Sequence, residues 1–208
     1  MTVTDILNSV VVFNKEDVVA NVKAAINSGI SIDDILNKGL IKAMDVVGEK
    51  FSSGEIFVPE MLQAAKAMQL GLEILKPHLA GDALMEKGTV VIGTVKGDLH
   101  DIGKNLVTMM VEGAGFNVID LGVDVDTDKF VSEAQIHNAD VVCLSALLTT
   151  TMPIMAKTVE ALKEAGLKAK TIIGGAPVTD AYAQQICADG FSDNAPGAVE
   201  LIRKLVAA

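Results

Sequence analysis

The chain has 208 residues, half of them apolar, with 17 basic and 27 acidic side chains and a formal net charge of -10. It is long enough for one large domain or two small ones with a real core, and its acidic balance, with no run of five basic residues, argues against nucleic acid or an anionic membrane as partner. A single Tyr and no Trp leave no base-stacking platform, "MTVTDILNSV" lacks a signal-peptide pattern, and "VVCLSALL" is too short to span a bilayer, so a cytoplasmic protein is expected.

From about residue 4 to 80 the apolar residues recur at helical spacing. "EDVVANVKAAI" ends at Asn27-Ser28-Gly29, and Ser31 with Asp33 and Asp34 opens "SIDDILNKGLIKAMDVVGEKF" as a capped, acidic first turn. Gly54 marks a break, and "PEMLQAAKAMQLGLEIL" begins near Pro59 and stops at Pro77. This half, residues 1–80, is expected to be a bundle of about four helices.

A polar connector, 81–88, precedes a change of pattern. The β-rich runs "TVVIGTV", "NVIDLGV", "DVVCLSAL" and "KTIIGG" alternate with helical stretches starting near Gly103, Asp126, Met152, Thr179 and Ala195. Such alternation implies right-handed crossovers and a parallel sheet. Residues 89–208 are therefore expected to form a Rossmann-like or flavodoxin-like, doubly wound, five-stranded α/β domain. Cys143 and Cys187 have no CxxC or histidine set beside them and read as small buried hydrophobes. His78, just after Pro77, and His137, at the end of the helix after the second strand, do not read as ligands.

Ligands of open parallel sheets bind beyond the carboxyl ends of the strands. Three unusual stretches fall there: Gly97 to Gly103, Ser145 to Thr151, and Gly174-Gly175. The first lies in "GTVKGDLHDIGKN". A P-loop needs four residues between its first Gly and the Gly-Lys, followed by Ser or Thr. Here five residues intervene, and Asn105 stands at the hydroxyl position. A GxGxxG fingerprint is also missing, and Ser145 stands where a phosphoacceptor aspartate would end the third strand.

What remains is His100 with Asp98 two residues before it. A metal-binding histidine gives its second ring nitrogen to a carboxylate, while a solvated loop histidine beside two aspartates explains the same residues. One histidine cannot build a zinc site, which needs three or four protein ligands. A metal bound here must bring its other ligands with it, as in a macrocycle.

Asp98-Leu99-His100-Asp101-Ile102-Gly103 matches the Asp-x-His-x-x-Gly signature of the vitamin B12-binding domain, which this half resembles. "VKGDLHDIGKN", "DLGVDV", "LSALLTTT" and "IIGGAPV" are similar to stretches of cobalamin-dependent methionine synthase. "VGEKFSSGEIFVPEMLQAAKAM" resembles the helical cap that accompanies the domain, so the likeness covers about residues 10 to 205. It implies a cobalamin or related corrinoid, methylcobalamin in use, bound base-off with His100 as the lower axial ligand to cobalt. It further implies an Asp98–His100 hydrogen bond continued by Thr151, where methionine synthase has Ser. Ser145, Leu147 and Thr149 are implied on the cofactor's lower face or tail, with Asp101 and Ile102 in the binding loop. Gly97, Gly103, Gly174 and Gly175 suit a slot for the nucleotide tail, and Ala195 a late tail contact. Phe51 and Val58 are implied to shield the upper face, although ordinary bundle core claims Phe57 and Leu62 more readily.

Three classes share this signature. A radical mutase needs a substrate barrel for which 208 residues leave no room. A B12-dependent sensor or regulatory protein, the alternative reading, needs a DNA-binding segment that an acidic chain opening on cap helices does not offer. The third class is the stand-alone corrinoid protein, which carries methyl from a substrate:corrinoid methyltransferase to a pterin- or thiol-directed one. The donor would be methanol, a methylamine, a betaine or an aryl methyl ether, and a reductive activator would be a further partner.

Overall fold

A computed structural model describes residues 2–78 and 87–207. The chain divides into two compact units, a helical one holding the N-terminal residues with Gly113–Gly115, and an α/β one holding the remainder. The expected connector 81–88 falls outside the described residues over 81–86.

In the helical unit, α1 (Val3–Val11) starts at a Thr2–Asp5 capping box, and Asn14 caps α2 (Lys15–Asn27). Ser31 accepts from the Asp34 N–H at 3.1 Å and opens α3 (Ile32–Asp34). The helix then runs through a π-helical stretch, Ile35–Ile41, into α4 (Lys42–Ser52). A turn at Gly54 leads to α5 (Val58–Leu75), with Pro59 in its first turn, where a missing N–H costs nothing. Ile6, Val18, Val22, Leu40, Met44, Val47, Met61 and Met68 are buried. Gly71 allows the close approach, since a Cβ there would lie 2.8 Å from the Leu40 Cδ2 and 3.1 Å from the Val18 Cγ1. Phe57 is not core: it is 67% exposed in the turn, and Leu62 is only half-buried.

The α/β unit contains β1 (Thr89–Thr94), α6 (Ile102–Gly113), β2 (Asn117–Asp120), α7 (Thr127–Ile136), β3 (Val141–Ser145), α8 (Met152–Glu164), β4 (Lys170–Gly174), α9 (Asp180–Gln185), β5 (Gly190–Phe191) and α10 (Ala195–Val206). The sheet is parallel in the order β2-β1-β3-β4-β5, which is the doubly wound arrangement expected. β1, β3 and β4 are nearly continuously buried, as parallel strands covered on both faces must be. Val91, Val142, Leu144 and Ile173 pack with Phe130, Met155, Val159 and Leu162 in one core. Thr94 is level with Ser145, and Ser145 with Gly174, so three loops leave the sheet side by side. Because the order reverses between β1 and β3, the switch point lies between the first two of them.

Several boundaries differ from the sequence reading. β2 stops at Asp120 because Gly122 (φ 83°) and Asp124 (φ 55°) turn the chain away. The helical stretch "TDAYAQQICADG", expected from Thr179, is only α9, and its last residue, Gly190, belongs to β5. Cys187 is therefore exposed beyond the helix with φ 56°, rather than buried, whereas Cys143 is buried.

Candidate functional site

The loop after β1 is anchored from the moment it leaves the sheet. The Val95 N–H donates to the Ser145 carbonyl at 3.0 Å, and the Asp98 N–H to the Val95 carbonyl at 3.1 Å. Gly97, at φ 84°, supplies the left-handed turn, and its N–H donates to Asp124 Oδ1 at 2.8 Å. These bonds drive the Asp98 side chain inward, where it is completely buried.

A buried carboxylate needs donors, and Asp98 has five. Its Oδ1 accepts from the His100 backbone N–H at 3.1 Å and lies 2.7 Å from His100 Nδ1. Its Oδ2 accepts from the Leu147 N–H (2.8 Å), the Leu148 N–H (3.2 Å) and the Thr151 hydroxyl (2.8 Å). Burial pushes the carboxyl toward the neutral form, but the His100 ring, the Leu147 and His100 N–H groups and the Thr151 hydroxyl outweigh it. The result is a carboxylate held well below its ordinary range. Since a carboxylate only accepts, Nδ1 carries the hydrogen in this contact, and in the neutral ring that leaves the lone pair on Nε2. The imidazole is 51% exposed.

The two loops joined by Asp98 are unusually apolar where they meet solvent. Leu99 and Ile102 are 71% and 76% exposed, and Leu147 and Leu148 each 41%. One exposed leucine means little, but four large apolar side chains on two adjoining loops form a surface that favours an apolar occupant. Among the described residues no group of three or more His, Cys, Asp or Glu could hold a metal ion, so His100 can supply one ligand and no more.

The remaining residues singled out in the sequence are more scattered. Asp101 is exposed and accepts from Asn105 Nδ2 at 3.1 Å. Ser145 is half-buried at the end of β3, and Thr149 is exposed. Gly103 faces open space, with no atom within 4 Å of a would-be Cβ. Gly175 is different, because at φ 131° its Cβ would lie 1.9 Å from the Ala146 carbonyl oxygen. The backbone of the loop after β3 therefore demands that glycine. A Cβ at Gly174 would likewise meet the Ser192 carbonyl oxygen at 2.9 Å. Ala195 is buried at the start of α10. Phe51, half-buried in the last turn of α4, and Val58, at the exposed start of α5, belong to the helical unit.

Four residues of the site were not foreseen. Thr94, fully buried, donates its hydroxyl to the His100 carbonyl at 2.8 Å, and Asp124 holds Gly97. Lys104 is buried and pairs with Asp120. The only local hint was a lysine in the first turn of a helix, where acids are preferred.

Residues 2–76 and 88–202 each match the B12 binding domain. The chain belongs to this family. It is 41% identical over 212 residues to a corrinoid protein of Desulfitobacterium hafniense, covering 99% of this chain and 98% of the relative. It is 42% identical to dimethylamine corrinoid protein 1 of Methanosarcina acetivorans, covering 98% and 96%. Its fold matches a chain of the methanol:cobalamin methyltransferase complex of Methanosarcina barkeri with a TM-score of 0.89 and 32% identity, over 99% of this chain and 80% of that one. The residues fit the group that the family implies. His100 offers one nitrogen above an apolar surface, Gly103 leaves room, and the buried Thr108 hydroxyl on α6 has no hydrogen-bond partner.

Proposed function

We propose that the chain holds a corrinoid base-off, with His100 Nε2 as the lower axial ligand, and carries methyl groups between two methyltransferases. The observation that carries this reading is the Asp98–His100 contact at 2.7 Å beside an apolar surface where, among the described residues, no group of three or more His, Cys, Asp or Glu could hold a metal ion. When bound, the corrinoid supplies a cobalt centre that takes up a methyl group and gives it away. Asp98 orients the imidazole, and the Leu147 and Leu148 N–H groups with Thr151 keep Asp98 ionised. Leu99, Ile102, Leu147 and Leu148 receive the underside of the ring. Ser145, Thr149, Asp101, Gly97, Gly103 and the Gly174–Gly175 turn border the path of the nucleotide tail, with Ala195 at its far end. The resemblance of the helical half to a cap supports Phe51 and Val58 as the groups that would exclude water from the upper face.

The names of the relatives support a one-carbon donor of the methylamine or methanol kind, delivered by a substrate:corrinoid methyltransferase. The acceptor enzyme would pass methyl to tetrahydrofolate, a related pterin or a thiol, and a reductive activator would restore the nucleophilic state. The test is EPR of the Co(II) protein. Nitrogen superhyperfine splitting is expected in the unmodified chain and should vanish in His100→Ala with the corrinoid still bound. Splitting that persists in His100→Ala would sink the assignment.

A further inference from the structure

Lys104 is hard to explain as a stabilising residue. Its side chain is 2% exposed, and it occupies the first turn of α6, where the helix dipole disfavours a cation. Burying an ammonium group costs more than burying an apolar side chain of similar size. Its value lies in what it connects. Its Nζ donates to Asp120 Oδ2 at the end of β2 and to Asn105 Oδ1 at 2.7 Å. Asn105 donates in turn to Asp101, from its side chain to Oδ2 at 3.1 Å and from its backbone N–H to the carbonyl at 2.8 Å. On the other side, Asp120 Oδ1 accepts from the Gly122 N–H at 2.9 Å. The Gly122 carbonyl accepts from the Thr94 N–H at 2.9 Å, and the Thr94 hydroxyl donates to the His100 carbonyl at 2.8 Å. Asp101 adjoins His100, so the circuit closes on the histidine loop itself.

We propose that Lys104 is a positioning residue for His100, acting through this circuit; the inference rests on the axial-ligand reading above. Asp98 ties the loop to the β3 side of the switch point. Lys104, with Asp120 and Thr94, ties it to the β2 side. An imidazole fixed from one side only can swing about that tether, whereas two opposed tethers set its height above the sheet edge. That height decides how well Nε2 reaches a metal whose other ligands are fixed in a ring.

The test uses corrinoid-loaded protein and reads the fraction of Co(II) with nitrogen splitting, beside a thermal melt. Lys104→Met keeps the volume and removes the donors, and Thr94→Val cuts the circuit at its other end. Each is expected to lower the histidine-on to histidine-off ratio roughly 10-fold or more, the usual scale for groups that orient a metal ligand. Asp120→Asn, which keeps an acceptor oxygen and loses the charge, should fall between them and the unmodified chain. If Lys104→Met does not fold, the other two variants carry the comparison. Unaltered splitting in the folded variants, whatever their melting temperatures, would reduce Lys104 to a packing residue and overturn the proposal. Absence of splitting in the unmodified protein would instead overturn the ligation by His100, and this inference with it.

Discussion

Asp98 shows how much of the site depends on one side chain, and its ionisation has a consequence for stability. Its carboxyl is held below the ordinary range in the folded protein, against about 3.9 when unfolded. Its contribution is therefore complete above about pH 4 and lost as pH falls through the folded value. In corrinoid-free protein, the stability difference between the unmodified chain and Asp98→Asn should be constant near neutrality and shrink below about pH 4, as read by urea unfolding. The glycines separate in a similar way. Gly175→Ala places a Cβ against the Ala146 carbonyl in a left-handed backbone and should cost at least about 3 kcal/mol. Gly103→Ala meets nothing within 4 Å and should stabilise the corrinoid-free chain by about 0.5–1 kcal/mol through helix propensity. If the nucleotide tail passes Gly103, that same variant should retain less corrinoid after gel filtration, and full retention would remove Gly103 from the path. The Asp98–His100 pair was legible because both residues lie within three positions. Lys104 and Asp120 were not, since only the fold brings together residues 16 apart.

Helices were easier to read than strands because their signals are local. Ser31 caps where expected, and Pro59 sits in a first turn. β5 has two residues, too few to show any period. β2 is shorter than its apolar pattern, because Leu121 to Val123 look like strand while Gly122 and Asp124 take positive φ to reach the histidine loop. The apolar pattern of Ile35–Ile41 reads as regular helix, since it does not show that one turn has been widened. A π turn holds about one residue more than an α turn, which yields an element-scale expectation. Deleting the exposed Lys38 lets the stretch close to α geometry while Ile35 and Val47 keep their buried faces. Deleting Lys23, which is also exposed, from the regular α2 rotates its buried face out of register. Urea unfolding should find the Lys38 deletion clearly the less destabilising of the two, and the reverse order would mean that the π geometry is itself required.

For the molecule as a whole, two compact units and a site carried largely by one of them make ligand linkage a direct measurement. A corrinoid at about 100 times its dissociation constant should add about 2.7 kcal/mol to the stability of the folded form that binds it. Calorimetry should show the gain as an upward shift in the α/β unit's transition, smaller in His100→Ala and smaller with a metal-free corrin, which gives His100 no metal to bind. A shift confined to the helical unit would contradict the placement of the lower ligand. The five donors around Asp98 are all groups of the chain itself, and this bears on how the protein is filled. The entropy of ordering the imidazole is lost when the chain folds, not when the cofactor arrives. For a corrinoid with no coordinating base of its own to release, loading then needs no ordering step in the histidine loop, and its observed rate should rise linearly with corrinoid concentration. On the axial-ligand reading, the histidine loop of a newly made chain should stand ready before any corrinoid arrives, and a chain that has lost its corrinoid should refill without refolding that loop.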